Sequence, residues 1–468
     1  MQLKIDGQTV EAQEGELLLQ VALRNDIEIP HFCYHPCLSA AGNCRICLVK
    51  VEGQPKLVPS CNLTVADGME VSSDCLEVHD ARKDVMQFIL LNHPADCGVC
   101  DKAGECRLQD YQVRYGEVEP LALEKRPGKP KFYDLSPRLL LDSDRCILCS
   151  RCVRFTHEVS GSKQLGIVER GCHSQVQRLE DNSFDDPYSD NVVTTCPVGA
   201  LLSKDFLYQS RVWYLEPVRS VCTGCARCCS VNVWRRKREW QVNLLDPELN
   251  RKIYRTTPLE NAQVNGPWLC NKGFDLHKLM TRERVQTPRV RAFNASKDDM
   301  FRVAKELIGN ANRPAAIVSA HASNEELLVF KETLGNKVTV YTREDHSCAE
   351  GEVVEDDFLI CSDKNPNKHG MEQLFGHNPY DPDADHDLVV VWGDNVDYVD
   401  FKGVPVIHLA AFASGREEQA AIFVPISTIF ERSGTFTNFA GVENRFEQVF
   451  EKPDTVLHAE HFFRRLGE

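Results

Sequence analysis

The chain of 468 residues contains 21 cysteines, and most of them fall into four successive sets. The second set begins with a histidine, so it combines one imidazole with three thiols. Cysteine sets of this kind are typical of iron–sulfur proteins, and the sequence therefore predicts several clusters and a role in electron transfer. The sets are Cys33-x10-Cys44-x2-Cys47-x13-Cys61, His93-x3-Cys97-x2-Cys100-x5-Cys106, Cys146-x2-Cys149-x2-Cys152 with Cys196, and Cys222-x2-Cys225-x3-Cys229 with Cys270.

Length and charge argue against several other classes of protein. Disulfide scaffolds are usually short secreted chains, and the opening residues MQLKIDGQTV lack the basic and apolar regions of a signal peptide, so we expect reduced thiols in the cytoplasm. No apolar run approaches the ~18 residues needed to cross a bilayer, so any membrane association should come through other subunits. The net charge of −15 argues against nucleic acid as a partner.

The four thiolates of the first set suit a [2Fe–2S] cluster. Cys37 is an alternative to Cys33 in this set, and the spacing does not decide between them. Gly42 stands two residues before Cys44, where we expect the missing Cβ to let backbone amides approach the cluster.

In the second set the neutral imidazole of His93 would replace an anionic thiolate. That exchange lowers the negative charge of a [4Fe–4S] cluster and should raise its potential. The alternative is that His93 is a surface residue that begins the turn at Pro94.

The third set has the pattern of a two-cluster bacterial ferredoxin that keeps one cluster. The fourth cysteine expected after Cys152 is replaced by Thr156, and Cys196 is followed by Pro197 in the manner of the partner half. In such ferredoxins the terminal Cys-Pro cysteine binds the cluster of the other half, so Cys196 should complete the set. The positions of the partner half's own cysteines are occupied by Asp186, Ser189 and Val192.

The fourth set is compatible with two kinds of metal centre. Four thiolates from two loops can hold a [4Fe–4S] cluster or a structural zinc ion, and Cys228 is an alternative to Cys229. Lys272, two residues after Cys270, could serve as a surface charge that offsets the cluster. We expect the remaining cysteines to be ordinary thiols; they are Cys37, Cys75, Cys172, Cys228, Cys348 and Cys361.

The first part of the chain has the pattern of hairpins and short helices, and the last part alternates strands with helices. Together these two patterns predict an α+β multidomain fold. The alternation of Leu3, Ile5 and Val10 around the turn at residues 6–7 predicts a β-hairpin, a helix follows at 17–24, and the order resembles a [2Fe–2S] ferredoxin-like β-grasp module. Segment 231–244 predicts a second hairpin that turns at residues 237–238. Beyond a linker at 281–288, a capping box of Ser323 and Glu326 begins a helix at 325–334. Strands predicted at 315–319, 338–341, 388–392, 404–409 and 422–424 indicate a parallel doubly wound sheet.

Residues 1–280 resemble the family of G subunits of bacterial NADH:quinone oxidoreductase, respiratory complex I. The resemblance lies in the cysteine spacings and in the sequence segments around them. These segments are PHFCYH, AGNCRICLV, HPADCGVCDKAGECRLQDYQVRYG, DRCILCSRCVRF and TCPVGALLSK. It implies that Cys33, Cys44, Cys47 and Cys61 hold one [2Fe–2S] cluster, and that His93, Cys97, Cys100 and Cys106 hold a His/Cys3 [4Fe–4S] cluster. It further implies two more [4Fe–4S] clusters, one on Cys146, Cys149, Cys152 and Cys196, and one on Cys222, Cys225, Cys229 and Cys270.

The phrases SNEE and ERSGTFTN resemble the molybdopterin-oxidoreductase half of the same family. This half is short here, so we expect a shortened α/β domain without molybdopterin. Lys272 also resembles a lysine that lies between cluster and pterin in related molybdoenzymes, so its alternative interpretation is an inherited feature. The resemblance implies five domains: 1–78 ([2Fe–2S] ferredoxin-like), 79–118 (His/Cys3 [4Fe–4S]), 134–212 (ferredoxin-like [4Fe–4S]), 213–280 ([4Fe–4S] of molybdopterin-oxidoreductase type) and 281–468 (shortened α/β).

The function implied is that of an electron relay with no catalytic residue of its own. The chain shows no Gly-rich nucleotide-binding motif, so the resemblance implies that it works as a subunit of an oxidoreductase. The expected partners are the FMN- and NADH-binding subunit with its [2Fe–2S] partner, and the quinone-side iron–sulfur subunits of the peripheral arm. The expected location is the cytoplasmic face of the bacterial inner membrane, as a peripheral subunit. The alternative is an electron-transfer subunit of a soluble NAD-linked hydrogenase or formate dehydrogenase.

Overall fold

The computed structural model describes residues 1–116, 126, 128–179, 184–241, 249–343, 351, 353–394 and 398–467. Several sequence predictions include positions outside these ranges, among them the thiol of Cys348, residues 242–244 of the predicted hairpin, residues 117–118 of the predicted second domain and residues 180–183 of the third. The chain divides into two compact units, Met1–Tyr214 and Leu215–Glu468. Among the described helices, none has the length and apolar character needed to span a membrane.

The first unit begins with a mixed β-sheet that a short helix covers. The chain reverses at Asp6 and Gly7, which both have positive φ, and this confirms the predicted hairpin. Helix α1 buries Leu18, Leu19 and Val21 against the sheet, whose strand order is β2-β1-β5-β3-β4. The elements are β1 Gln2–Ile5, β2 Gln8–Glu11, α1 Leu18–Arg24, β3 Leu48–Val51, β4 Val58–Pro59 and β5 Glu70–Ser72.

The rest of this unit consists of two packed helices followed by small antiparallel sheets. Arg82 is buried, and its guanidinium donates to the Tyr115 hydroxyl at 3.4 Å, which fixes α2 against α3. The helices and strands are α2 Leu76–Leu90, α3 Arg107–Tyr115, β6 Tyr133–Asp134, β7 Leu139–Leu141, α4 Arg151–Glu158, β8 Leu165–Val168, β9 Gln175–Arg178, α5 Asn191–Thr195 and β10 Leu201–Ser203. Short 3₁₀ helices lie at Ser60–Asn62, Cys97–Val99, Ser143–Arg145, Gly171–His173 and Val212–Tyr214.

The second unit begins with a three-stranded antiparallel sheet. Its strands are β11 Leu215–Val221, β12 Ser230–Arg236 and β13 Arg255–Pro258, and β12 lies between the other two. The hairpin predicted for 231–244 is wrong in its pairing, because β12 is one strand whose partners come from before and after that segment. Residues 238–240 form a 3₁₀ helix at the end of β12. Alternation identified the strand but could not identify its partners.

A seven-stranded sheet forms the centre of the second unit. Five strands are parallel in the order β20-β19-β18-β16-β17, and β14 and β15 continue the sheet antiparallel beside β20. The elements are α6 Asn271–Phe274, β14 Arg289–Val290, β15 Phe293–Asn294, α7 Lys297–Asn310, β16 Pro314–Ser319, α8 Asn324–Phe330, β17 Thr339–Arg343, α9 Lys368–Phe375, β18 Leu388–Trp392, β19 Val406–Ala410, β20 Ile422–Pro425, β21 Gly434–Thr437, β22 Glu443–Phe446 and α10 Ala459–Gly467. A π-helical turn lies at Lys331–Gly335, and 3₁₀ helices at Arg238–Trp240, Leu249–Arg251, Asp275–Thr281, Tyr398–Phe401, Glu417–Gln419 and Ile429–Glu431.

The predicted strands of this sheet are present and parallel. The capping box is confirmed: the Ser323 hydroxyl accepts the Glu326 N–H at 3.3 Å, and the Ser323 N–H donates to the Glu326 carboxylate at 2.9 Å. The helix begins one residue earlier than predicted and ends at Phe330, where the π-helical turn follows. The segment predicted as a linker is anchored within the unit, because Arg284 pairs with the fully buried Glu431 at 2.8 Å.

Candidate cluster-binding sites

The first set of thiols meets beside helix α1. The Cys44 and Cys61 thiols donate hydrogen bonds to the sulfur of Cys33, and these bonds hold the pKa of Cys33 well below its usual range. The Cys61 thiol also donates to Cys47 and lowers the pKa of Cys47 to about 7. Hydrogen bonds between thiols thus link Cys33 with Cys44 and Cys61, and Cys61 with Cys47, which fits four donors around one cluster.

The structure brings Cys33 rather than Cys37 into this group. Cys33 is fully buried, whereas Cys37 is exposed and its N–H donates to His35 Nδ1 at 3.2 Å. Gly42 has φ +61°, and an added Cβ would meet only the Asn62 Cβ at 4.0 Å. The left-handed backbone favours glycine here, and the expected role of Gly42, to let backbone amides approach the cluster, stays a prediction.

The second set lines one cavity of about 330 Å³, to which His93, Cys97, Cys100 and Cys106 all contribute. His93 Nδ1 is buried, and no described group forms a hydrogen bond with it. Burial lowers the pKa of His93 to about 4, so the ring is neutral and a ring nitrogen can offer a lone pair to a metal. An orphaned buried nitrogen in a cavity with three thiols fits a ligand better than the alternative of a surface turn residue.

Gly199 makes room for one of these sulfurs. A Cβ built on Gly199 would lie 2.2 Å from Cys100 Sγ, a distance at which the sulfur would have to move. Gly199 follows Cys196 by three residues, so the backbone of the third set forms part of the wall of the second.

The third set surrounds a small, largely apolar cavity. Cys146, Cys149, Cys152 and Cys196 line it together with Leu141, Val176 and Leu201. The Leu148 N–H donates to Cys146 Sγ at 3.4 Å. Burial raises the pKa of Cys146 to about 11 and that of Cys149 to about 12, so these thiols would become thiolates only beside a positive centre such as iron.

The positions of the missing second ferredoxin cluster form a hydrogen-bond network instead. The buried Asp186 carboxylate accepts hydrogen bonds from Ser160, from Ser162 at 2.6 Å and from the Tyr188 N–H at 2.7 Å. Thr156 is fully buried, and its hydroxyl donates to the Val153 carbonyl at 2.9 Å. Polar side chains with internal partners thus occupy two of the places of the missing cysteines, and the buried apolar Val192 occupies another.

Three arginines connect the first three sets. Arg154 donates to the carbonyls of Cys33 at 2.5 Å and Cys149 at 3.2 Å. Arg151 is buried and donates to the Tyr34 carbonyl and, at 3.0 Å, to the Thr195 carbonyl. Arg145 pairs with Asp96 at 2.8 Å. Buried guanidinium groups next to cysteines provide positive charge where an anionic cluster needs it.

The fourth set lies in the second unit, at the end of the β11–β12 ladder. The Cys222 N–H donates to the Cys229 carbonyl at 2.8 Å, which places these residues opposite each other, and the Gly224 N–H donates to Cys222 Sγ at 3.4 Å. Burial raises the pKa of Cys270 to about 11. Cys228 is also buried, and its carbonyl accepts from Asn444 Nδ2 at 3.0 Å.

Cys361 belongs to the neighbourhood of the fourth set, which the sequence analysis missed. Its thiol donates to the sulfur of Cys225 and lowers the pKa of Cys225 to about 6. The loop is fixed there because the Ala226 N–H donates to the Asp363 carbonyl at 2.8 Å. Cys361 lies far along the chain from the fourth set and in no ligand spacing, so no sequence signal could have revealed this contact. Of the other extra thiols, Cys75 is half-buried and Cys172 exposed.

Within the described part of the chain, no three His, Cys, Asp or Glu side chains converge closely enough to hold a single metal ion.

Three family models match the first unit. A 2Fe-2S iron-sulfur cluster binding domain matches residues 1–75, the NADH-ubiquinone oxidoreductase-G iron-sulfur binding region matches 82–119, and the ferredoxin-like domain of NADH-quinone oxidoreductase subunit 3 matches 136–202.

Several similar proteins share one family name, the G subunit of NADH-quinone oxidoreductase. The G subunit of Rickettsia bellii is 34% identical over 338 residues, which are 71% of this chain and 47% of that protein. The G subunit of Streptomyces coelicolor is 37% identical over 62% of this chain and 33% of its own length. This chain thus resembles the G subunits of NADH-quinone oxidoreductase over most of its length, as its motifs predicted. It spans about half the length, or less, of the curated G subunits it matches.

One further relative of this G-subunit family carries a different name. The NADH-ubiquinone oxidoreductase 75 kDa subunit of Reclinomonas americana is 36% identical over 70% of this chain and 47% of its own length. A chain in the crystal structure of an NAD+-reducing [NiFe]-hydrogenase matches with 28% identity and a TM-score of 0.42, covering 45% of this chain and 90% of its own. The family models confirm a [2Fe–2S] domain and [4Fe–4S]-binding domains in a chain of mixed α/β content.

Proposed function

We propose that this chain is the iron–sulfur electron-relay subunit of the NADH dehydrogenase module of complex I, and that it passes electrons from an FMN-bearing subunit towards quinone. One observation carries the proposal: three ligand sets lie in one compact unit, and arginines bridge their loops. Iron–sulfur clusters, when bound, supply one-electron transfer. The names of the G-subunit relatives support the same conclusion.

The ligand assignment that we propose follows the sets. Cys33, Cys44, Cys47 and Cys61 hold one [2Fe–2S] cluster; His93, Cys97, Cys100 and Cys106, then Cys146, Cys149, Cys152 and Cys196, then Cys222, Cys225, Cys229 and Cys270 each hold a [4Fe–4S] cluster. The five-domain division at 1–78, 79–118, 134–212, 213–280 and 281–468 belongs to the same proposal, with 281–468 as an α/β domain of molybdopterin-oxidoreductase type that works without molybdopterin.

Side chains around the ligand sets limit the access of water and offset the negative charge of the proposed clusters. Leu141, Val176 and Leu201 cover the third set with apolar surface, which limits the access of water. The buried Arg145 and Arg151 lie at the sets and stabilise the reduced, more negative state. These contacts set potentials and require no bond-making residue, so we assign no catalytic residue to the chain.

The proposed partners are the FMN- and NADH-binding subunit with its [2Fe–2S] partner on one side, and the quinone-side iron–sulfur subunits of the peripheral arm on the other. The proposed location is the cytoplasmic face of the inner membrane, with contact to the membrane only through other subunits.

Metal analysis and low-temperature electron paramagnetic resonance of the anaerobically purified, dithionite-reduced chain test this function. We expect about 14 irons, one [2Fe–2S] signal and several [4Fe–4S] signals, with no molybdenum. About 10 irons and one zinc ion would make the fourth set a structural zinc site. Stoichiometric molybdenum would contradict the relay assignment for residues 281–468.

Two serine variants test the fourth set. Cys225→Ser should remove about four irons, because it deletes a ligand, whereas the matched Cys361→Ser should retain them. Loss of iron from Cys361→Ser and not from Cys225→Ser would show that the ligand set includes Cys361 instead.

A further inference from the structure

A cavity of about 440 Å³ opens in the second unit at the carboxyl ends of the parallel strands. Its wall includes Ser319 at the end of β16, Arg343 at the end of β17 and Gly393 directly after β18. The strands β17-β16-β18-β19-β20 are the second, first, third, fourth and fifth parallel strands in chain order. The chain leaves β16 towards one edge of the sheet and β18 towards the other, so the cavity lies at the topological switch point, where open α/β sheets bind ligands.

The charge of the cavity is opposite to that of the whole protein. Its wall contains two acidic side chains, Asp275 and Asp394, against five basic ones, in a chain whose net charge is −15. The basic residues are Lys272, Lys278, Arg282, Arg343 and Arg432. An excess of cations in a concave site favours an anion, and guanidinium groups match the oxygens of phosphate.

The backbone near Arg343 leaves room for a ligand to approach its guanidinium group closely. Arg343 Nη1 donates to the Asp394 carbonyl at 2.6 Å, which orients the guanidinium at the cavity wall. Gly393 has φ +123°, and a Cβ there would lie 3.2 Å from Ser319 Oγ and 3.4 Å from Arg343 Nη1. A side chain at position 393 would therefore fill the space between the ends of β16 and β17, which glycine keeps open.

The second arginine is also held by the protein. The Arg282 guanidinium lies over the Phe412 ring at 4.3 Å, and its Nη1 is 3.7 Å from Asp394 Oδ2. Asp394 itself is fixed by the N–H groups of Ala411 and Phe412, both at 3.1 Å from Oδ1. Both guanidinium groups are thus positioned before a ligand arrives, which reduces the entropy lost on binding.

Part of the remaining wall consists of large apolar side chains, which favours an organic ligand. Leu276, Leu279, Trp392, Phe412 and Ile426 all line the cavity. A volume of about 440 Å³ lies within the range of sites for small organic molecules.

We propose that this pocket binds a small phosphorylated ligand of the nucleotide class, with its phosphate facing Arg343 and Arg282. The electron relay needs no such ligand, so the proposal goes beyond the proposed function and does not depend on it.

Equilibrium dialysis of the anaerobically purified full chain against ADP, adenosine and inorganic phosphate tests the pocket. ADP should bind saturably at one site per chain, and adenosine should bind at least ~10-fold more weakly because it lacks the phosphate. Absence of saturable ADP binding, or equal binding of adenosine, would contradict the proposal. Inorganic phosphate binding as tightly as ADP would contradict the nucleotide class.

Arg343→Ala and Arg282→Gln should each weaken ADP binding ~10-fold. The matched control is Arg313→Ala, because Arg313 is an exposed arginine next to the opposite end of β16, where it pairs with Asp385. That control should keep the affinity of the native chain. Arg282 is partly exposed and can be replaced even if Arg343→Ala fails to fold. Unchanged affinity in folded Arg282→Gln, or an equal loss in Arg313→Ala, would overturn the assignment.

Discussion

Arg145 Nη2 lies 2.8 Å from Asp96 Oδ2, and this ion pair joins the residue before Cys146 to the residue before Cys97. The Arg145 side chain is 3% exposed, so water solvates its charge little and protein partners must stabilise it. Asp142 provides a second carboxylate at 3.3 Å. The loops of the second and third sets therefore share a charged contact.

Asp96→Asn should lower the free energy of unfolding by ~1–2 kcal/mol, because it removes a charge-assisted contact from a buried guanidinium. Urea denaturation followed by circular dichroism measures the change. The matched control is Asp134→Asn, whose carboxylate is 76% exposed and pairs with Lys204, and its effect should stay below ~0.5 kcal/mol. Equal effects in the two variants would show that the pair is not structurally important.

Gly199→Ala should remove about four irons, because its Cβ would lie 2.2 Å from Cys100 Sγ. Iron analysis and the loss of one [4Fe–4S] resonance measure this. Gly98→Ala is the control in the same module, since a Cβ there meets no atom within 4 Å and the iron content should not change. Full iron in Gly199→Ala would mean that the sulfur moves without cost.

Asp186→Ala should destabilise the protein by ~2–4 kcal/mol, since it leaves two hydroxyls and one N–H without their buried acceptor. The neighbouring Asp185 accepts from Gln164 at an exposed position, so Asp185→Ala should change stability by less than ~0.5 kcal/mol. Denaturation midpoints distinguish the two. The iron content should be unchanged in both variants, and a loss in Asp186→Ala would connect this network to the third set.

The buried His408 should make the stability of the second unit depend on pH. Its ring accepts from the Tyr398 hydroxyl at 2.6 Å and donates to the Gly393 carbonyl at 2.8 Å, and burial lowers the pKa of His408 below its ordinary value of 6.5. The unfolded chain then binds more protons, so this stability is present above about pH 6.5 and is lost as the pH falls, by at most ~1.4 kcal/mol per unit.

Thermal unfolding of the His408→Gln variant between pH 7.5 and 5.5 checks this. The variant should show a smaller fall in midpoint than the native chain, whatever its stability at pH 7.5. The exposed His377 offers a control, because His377→Gln should keep the native slope. An unchanged slope in His408→Gln would place the pH dependence elsewhere.

Features with local signals could be predicted from the sequence, and contacts between distant segments could not. The turn at Asp6 and Gly7 and the capping box at Ser323 depend on neighbouring residues, so residue type alone indicated them. Most of the thiols likewise lie at short spacings, and the distant Cys196 was indicated by the Pro197 that follows it. In contrast, the partners of β12, the contact of Gly199 with Cys100 and the approach of Cys361 to Cys225 depend on segments that meet only in the folded chain.

The Arg154 guanidinium donates to the carbonyls of both Cys33 and Cys149, so one side chain connects the loops of the first and third sets. The loop around Cys33 therefore acquires its final shape only when α4 is in place. This coupling affects cluster insertion. The two sites would fold together in the apoprotein, so that insertion of a cluster at one site would favour insertion at the other.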